Sequence, residues 1–139
     1  MQTENEITIA AKVENLDAVN AFVEEFSAPL EPTPRAAMQL DLVVEELFVN
    51  VASYAYGDFG GMATIKGRLF PEDGALSLTF IDSGTPYNPL EKEDPDTDLP
   101  MEERGIGGLG IFLVKKNVND IKYERLDGKN VLTIHKKMK

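Results

Sequence analysis

Residues 42–52 read Leu-Val-Val-Glu-Glu-Leu-Phe-Val-Asn-Val-Ala. On a helical wheel this stretch is apolar on nearly all sides, and it extends both ways into a long helix from Arg35 to Tyr54 that stops before Gly57 and Gly60-Gly61. Glu46 and Asn50 are four positions apart, so they share a face one turn apart. A carboxylate and an amide set into such a helix are costly unless each finds a partner or water. Either Glu45 and Glu46 form a solvated stripe, or a site opens on this face.

Working toward the N-terminus, Pro29–Pro34 forms a loop, and Leu16, Val19, Phe22, Val23 and Phe26 mark a helix over Leu16–Phe26 that Asn15 is placed to cap. Before it, Ile7, Ile9, Ala11 and Val13 alternate with polar neighbours and predict a strand over Glu6–Val13. Toward the C-terminus, Met62–Phe70 and Ala75–Ile81 flank the turn Pro71-Glu72-Asp73-Gly74 and predict a hairpin. Asp82–Arg104 holds four prolines and an acidic patch from Glu91 to Asp98. Leu109–Asn117 reads as a helix opened by glycines, and Ile121–Leu126 with Asn130–His135 as a hairpin around Asp127-Gly128. The order predicts one α+β domain over 1–139, two layers, with helices on one face of a mixed, mostly antiparallel sheet. A structureless loop of about 20 residues is unusual in a compact domain and is most often a lid or binding loop.

Three segments carry polar groups that could do chemistry. In the long helix, the Asn50 carbonyl is a hard oxygen that suits Mg²⁺, and the Glu46 carboxylate could accept a proton from a hydroxyl or water. The strand ending Phe80-Ile81 runs into Asp82-Ser83-Gly84-Thr85-Pro86. This is either an ordinary turn or a carboxylate placed to accept from an exocyclic amine, with Gly84 letting the backbone approach a flat ring. Third, Gly105, Gly107, Gly108 and Gly110 precede an apolar helix, where backbone N–H groups and the helix dipole favour an anion. A plain hinge is the alternative. No Gly-Lys-Ser/Thr follows, so this is not a Walker A loop, and no βαβ unit surrounds it.

The bulk numbers narrow the classes. With 14 basic and 24 acidic residues the formal charge is −10, which repels nucleic acid and attracts basic protein surfaces. The basic run Lys136, Lys137 and Lys139 sits at the terminus. No apolar run reaches the roughly 20 residues of a membrane span, and the acidic N-terminus does not read as a secretory signal, so a cytoplasmic protein is expected. There is no cysteine, and His135 is the one histidine, expected at a surface. A histidine-based triad, a multi-histidine metal site and a thiolate metal site are thereby excluded for a single chain.

Glu46-x-x-x-Asn50, then Asp82-x-Gly84-x-Pro86, then a lid over about 86–106, then Gly105-x-Gly107-Gly108-x-Gly110 together resemble the Bergerat-type ATP site of histidine kinases, gyrase, Hsp90-like chaperones and MutL proteins. Glu45–Tyr56 and Pro86-Tyr87-Asn88-Pro89-Leu90 look like the anti-sigma-factor serine/threonine kinases within that superfamily. The resemblance implies a Bergerat-type sandwich, Asn50 holding Mg²⁺, Glu46 as general base, Asp82 and Gly84 at adenine, and Gly105, Gly107, Gly108 and Gly110 shaping the phosphate cradle. Arg104 would reach the terminal phosphate. It implies ATP and Mg²⁺ as cofactors, transfer of the γ-phosphate to an anti-anti-sigma (STAS-type) antagonist, sequestration of a sigma factor, and a homodimer. A non-enzymatic ATP-responsive binding module is the second reading. A detached histidine-kinase catalytic half is a third, disfavoured because no helical dimerisation domain with a phospho-accepting histidine is present. One departure stands out: many relatives carry a Gly-Thr pair near the last strand, whereas here Gly128 is followed by Lys129 and Asn130.

Overall fold

The computed structural model describes residues 3–56, 60–91 and 108–139. Strand β1 (Glu4–Ala10) leads to helix α1 (Leu16–Ser27) and helix α2 (Pro34–Tyr54). The hairpin β2 (Met62–Phe70) and β3 (Ala75–Asp82) follows, then helix α3 (Gly108–Asn117), and a second hairpin, β4 (Asp120–Leu126) with β5 (Lys129–Lys137). The strands form one five-stranded sheet in the order β1-β2-β3-β5-β4, and each described pairing is antiparallel. The helices cover one face.

Local chemistry explains most boundaries. Thr33 accepts a hydrogen bond from the Ala36 amide (3.1 Å), and Pro34 supplies a preset φ at the first helical position, so α2 starts sharply. The β4–β5 turn has positive φ at Asp127 (51°) and Gly128 (77°), the twist a two-residue hairpin loop requires. Two expectations shift. The first strand runs Glu4–Ala10 instead of Glu6–Val13, because Val13–Asn15 turn as a short 3₁₀ segment. Asn15 does not cap α1 with its side chain; its Nδ2 donates to the Ala10 carbonyl (2.9 Å) and closes that turn instead.

Period-two alternation sets the core. Ile65 and Leu69 of β2, Leu76, Leu78 and Phe80 of β3, and Leu132 and Ile134 of β5 face the helices. They meet Val19 and Val23 of α1, Leu40, Val43, Val44, Leu47 and Phe48 of α2, and Ile111 and Val114 of α3. The opposite face carries threonine pairs, Thr8 with Thr64 (2.8 Å) and Thr79 with Thr133 (3.1 Å), and His135, half-buried against the Phe70 ring (5.4 Å between centroids). Among the described residues no helix is long and apolar enough to cross a membrane.

The same alternation corrects the view of Lys136 as part of a terminal basic run. It follows Leu132 and Ile134 on the covered face and is 4% exposed. Its Nζ donates to the Asn117 carbonyl (2.7 Å) at the end of α3 and to Gln39 Oε1 (2.9 Å) on α2. Burial, and then the Arg35 charge, lower its pKa. Lys136 thus ties α3 to α2 from below. Lys136→Ala is expected to cost about 2 kcal/mol, since it strands two half-buried acceptors, lowering the Tm by about 4–8 °C in a thermal melt. A melt unchanged within a degree would show the contact to be idle.

Candidate functional site

The row Leu76, Leu78, Phe80 along β3 puts the next alternate residue, Asp82, on the covered face, and Asp82 is 6% exposed. A buried carboxylate requires donors. Asp82 Oδ1 accepts from the Gly84 amide (3.0 Å) and from Asn130 Nδ2 (2.8 Å). Among the described residues Oδ2 takes no hydrogen bond, so it remains available to a donor.

Asn50, one helix layer above, lines the same cavity as Asp82, with Leu47, Val51, Phe80, Tyr87 and Leu132 as the mainly apolar wall. This is the setting of a flat apolar ligand with one polar edge. The cavity holds about 40 Å³, room for a few waters and too little for a purine. Tyr87 and Pro89 form part of its wall. Tyr87 stacks on Tyr54 of α2 at 5.2 Å. Beyond it Asn88 Oδ1 accepts from the Leu90 amide (2.9 Å) and starts the short turn Pro89–Glu91.

The end of α2 is fastened to the ends of β2 and β3. The Tyr56 hydroxyl donates to the Met62 carbonyl (2.6 Å) and accepts from the Ser83 amide (2.7 Å). The Thr85 amide donates to the Ala55 carbonyl (2.7 Å). Gly84 lies so close to that carbonyl that a Cβ on it would collide with the Ala55 oxygen. Arg125 of β4 donates from Nη1 to the Gly84 carbonyl (2.9 Å), pinning the turn from the other side.

Glu46, half-buried one turn before Asn50, points at the first turn of α3. A Cβ on Gly110 would collide with Glu46 Oε2. Burial and then the neighbouring Glu45 raise its pKa above the usual carboxylate value, which makes it a stronger proton acceptor. The structure therefore brings together Asn50, Asp82 and Gly84 at one cavity, and Glu46 with Gly110 beside it. Gly108 opens α3. Arg104, Gly105 and Gly107 lie outside the described residues, as does most of the expected lid. Among the described residues no group of three acidic or histidine side chains could hold a metal by itself. One amide oxygen at Asn50 fits Mg²⁺ carried by phosphates and waters rather than by a protein cage.

Sequence reasoning missed Asn130 and Tyr123. Asn130 is 5% exposed and faces Asp82 directly across β5 and β3. The Tyr123 hydroxyl of β4 donates to Asn130 Oδ1. The signal in the sequence is Lys129-Asn130 in place of the Gly-Thr pair; nothing local says that β5 lies beside β3.

Residues 9–136 match the family model of the histidine kinase-like ATPase domain. The chain is 29% identical over 139 residues to the anti-sigma F factor of Clostridium acetobutylicum, covering 99% of this chain and 94% of that protein. It is 29% identical over 100 residues to the serine/threonine-protein kinase BtrW of Bordetella bronchiseptica, covering 72% of this chain and 70% of that one. A solved structure of the RsbU and RsbW domains of a Mycobacterium tuberculosis protein superposes with a TM-score of 0.69 at 15% identity, over 99% of this chain and 33% of that one. That likeness is one of fold. Together with the match over nearly its whole length, the helices on one face of an antiparallel sheet and the cavity under α2 mean that this chain belongs to the histidine kinase-like ATPase domain family.

Proposed function

We propose that the chain binds Mg-ATP in the cleft between α2, the end of β3 and α3, and transfers the γ-phosphate to a serine or threonine of a small STAS-type antagonist. In its other state it sequesters a sigma factor. The observation that carries this reading is the split of two polar groups on one helix face. Asn50 lies in the cavity with Asp82, while Glu46 lies one turn away at the start of α3. We read the first as a group at the phosphates and the second as a group at the acceptor hydroxyl. The names of the two relatives, an anti-sigma factor and a serine/threonine kinase, agree with it.

In the proposed step Glu46 accepts the hydroxyl proton as the acceptor oxygen bonds to the γ-phosphorus, and the bond from that phosphorus to the β–γ bridging oxygen breaks, leaving ADP. Asp82 Oδ2 accepts from the adenine amine, and Gly84 lets the ring lie close to the backbone. Bound Mg²⁺, held by Asn50 and phosphate oxygens, would neutralise charge on the phosphates. Gly108 and Gly110, with Gly105, Gly107 and Arg104 before them, would line the phosphates. The net charge of −10 suits a partner with basic surfaces.

Incubation with γ-labelled ATP and candidate antagonist proteins tests the transfer. Label on a serine or threonine of the antagonist is the expected result. ATP binding with no transfer to any antagonist would favour the ATP-responsive binding module. Asn50→Ala is expected to weaken Mg-ATP binding by tenfold or more, about 1.4 kcal/mol or greater, in calorimetry. Equal affinity in the variant would remove Asn50 from the metal role.

A further inference from the structure

We propose that Asn130 is a positioning residue: by holding Asp82 it sets a preference for 6-amino purines, and by holding the backbone of residues 85–87 it couples that preference to the segment covering the base. The inference rests on the ATP reading above and deepens it.

A primary amide has two donor hydrogens and two acceptor lone pairs, and Asn130 uses all four. Nδ2 donates to Asp82 Oδ1 (2.8 Å) and to the Thr85 carbonyl (2.9 Å). Oδ1 accepts from the Tyr87 amide (3.2 Å) and from the Tyr123 hydroxyl. Turning the amide over would set its NH₂ against the Tyr87 N–H and its carbonyl against a carboxylate and the Thr85 carbonyl. The orientation is therefore fixed by its neighbours. No hydrogen-bonding capacity is left for a ligand, although Asn130 lines the cavity. Its influence on a bound base must pass through Asp82.

That influence is specific. With Gly84 and Asn130 both donating to Oδ1, the carboxylate plane is set and Oδ2 is the free acceptor. An ionised carboxylate only accepts, so it favours the 6-amino group of adenine and opposes the 6-oxo group of hypoxanthine. Without Asn130 the carboxylate loses one of its two donors in a buried place, and its tilt is no longer defined. The Tyr87 amide loses its acceptor at the same time, whereas the Thr85 amide keeps Ala55. One residue thus links the base-reading group to the start of the cover.

The test compares ATP and inosine triphosphate, which differ at the 6-position, on the wild-type chain, Asn130→Ala and Tyr123→Phe, with a thermal melt of each. The wild type is expected to favour ATP by about a hundredfold or more, because a buried acceptor rejects a ligand lacking the donor. Asn130→Ala is expected to reduce that ratio about tenfold. Tyr123→Phe should reduce it severalfold in the same direction, and keeps the test open if Asn130→Ala does not fold. A purely structural loss lowers the competent fraction and scales both affinities equally, leaving the ratio unchanged. Hydrogen exchange gives a second readout: the Tyr87 amide should exchange at least tenfold faster in Asn130→Ala, with the Thr85 amide unchanged. A wild type that does not discriminate would defeat the ATP reading at Asp82. A discriminating wild type with an unaltered ratio in both variants would overturn the role of Asn130 alone.

Discussion

Glu46→Gln is expected to reduce phosphotransfer by about 10²–10⁴-fold, the usual worth of a positioned general base, with ATP affinity within about twofold of the parent. Glutamine keeps the volume and the contact with the first turn of α3, so Gly110 still has its neighbour and the cleft keeps its shape. What is lost is the basic lone pair. The same substitution has a second, opposite effect on stability. Burial and Glu45 raise the Glu46 pKa in the folded chain, so the fold favours the protonated form and the ionised carboxylate is destabilising. That penalty is fully present above the folded pKa and disappears as the pH falls to the unfolded value near 4.5. The variant should therefore melt higher than the parent at pH 7.5, by a degree or so given the partial exposure of the group, and level with it near pH 4. Single-turnover transfer of labelled phosphate and melts at the two pH values check both halves. Transfer at the parental rate would show that another group takes the proton.

The parts of the fold legible in the sequence are those written by neighbours. Thr33-Pro34 starts α2 because a hydroxyl and a fixed φ act within one turn. Asp127-Gly128 closes the last hairpin because two positive φ values are needed there. Glu46 and Asn50 share a face because helical spacing alone decides it. What stayed hidden depends on long-range pairing. Lys136 reads as a solvated cation until β5 is placed under α2 and α3, where its alternation sends it inward. Asn130 reads as the first residue of a hairpin strand, with no partner named for its side chain, until β5 is inserted between β3 and β4, which sets it opposite Asp82. Asn15 stands where a capping side chain is expected, but its Nδ2 donates to the nearby Ala10 carbonyl instead. Lys136 and Asn130 are polar side chains whose partners are set by where β5 lies in the sheet, which the local pattern does not order.

Gly84→Ala should be as damaging to nucleotide binding as any change at Asp82 itself, although it adds one methyl and removes no polar group. The added Cβ would meet the Ala55 carbonyl oxygen, a backbone atom at the end of α2 that cannot rotate away. Relief requires the 82–85 turn to move off α2. That movement breaks the hydrogen bond from the Thr85 N–H to the Ala55 carbonyl (2.7 Å) and lengthens the one from the Gly84 N–H to Asp82 Oδ1 (3.0 Å). It also draws the Gly84 carbonyl from Arg125 (2.9 Å). Overpacking of this kind costs about 1–3 kcal/mol in the fold, yet the larger effect expected is local, because the carboxylate proposed to read the base and the backbone proposed to lie under the ring shift together. An ATP affinity loss of about a hundredfold, near 2.7 kcal/mol, is expected with a Tm fall of about 4–10 °C. Ser83, which faces outward next to it, provides the control: Ser83→Ala should leave binding within twofold. Titration of both variants with ATP, beside their melts, decides the matter. If Gly84→Ala binds as tightly as Ser83→Ala, the ring does not lie against this turn.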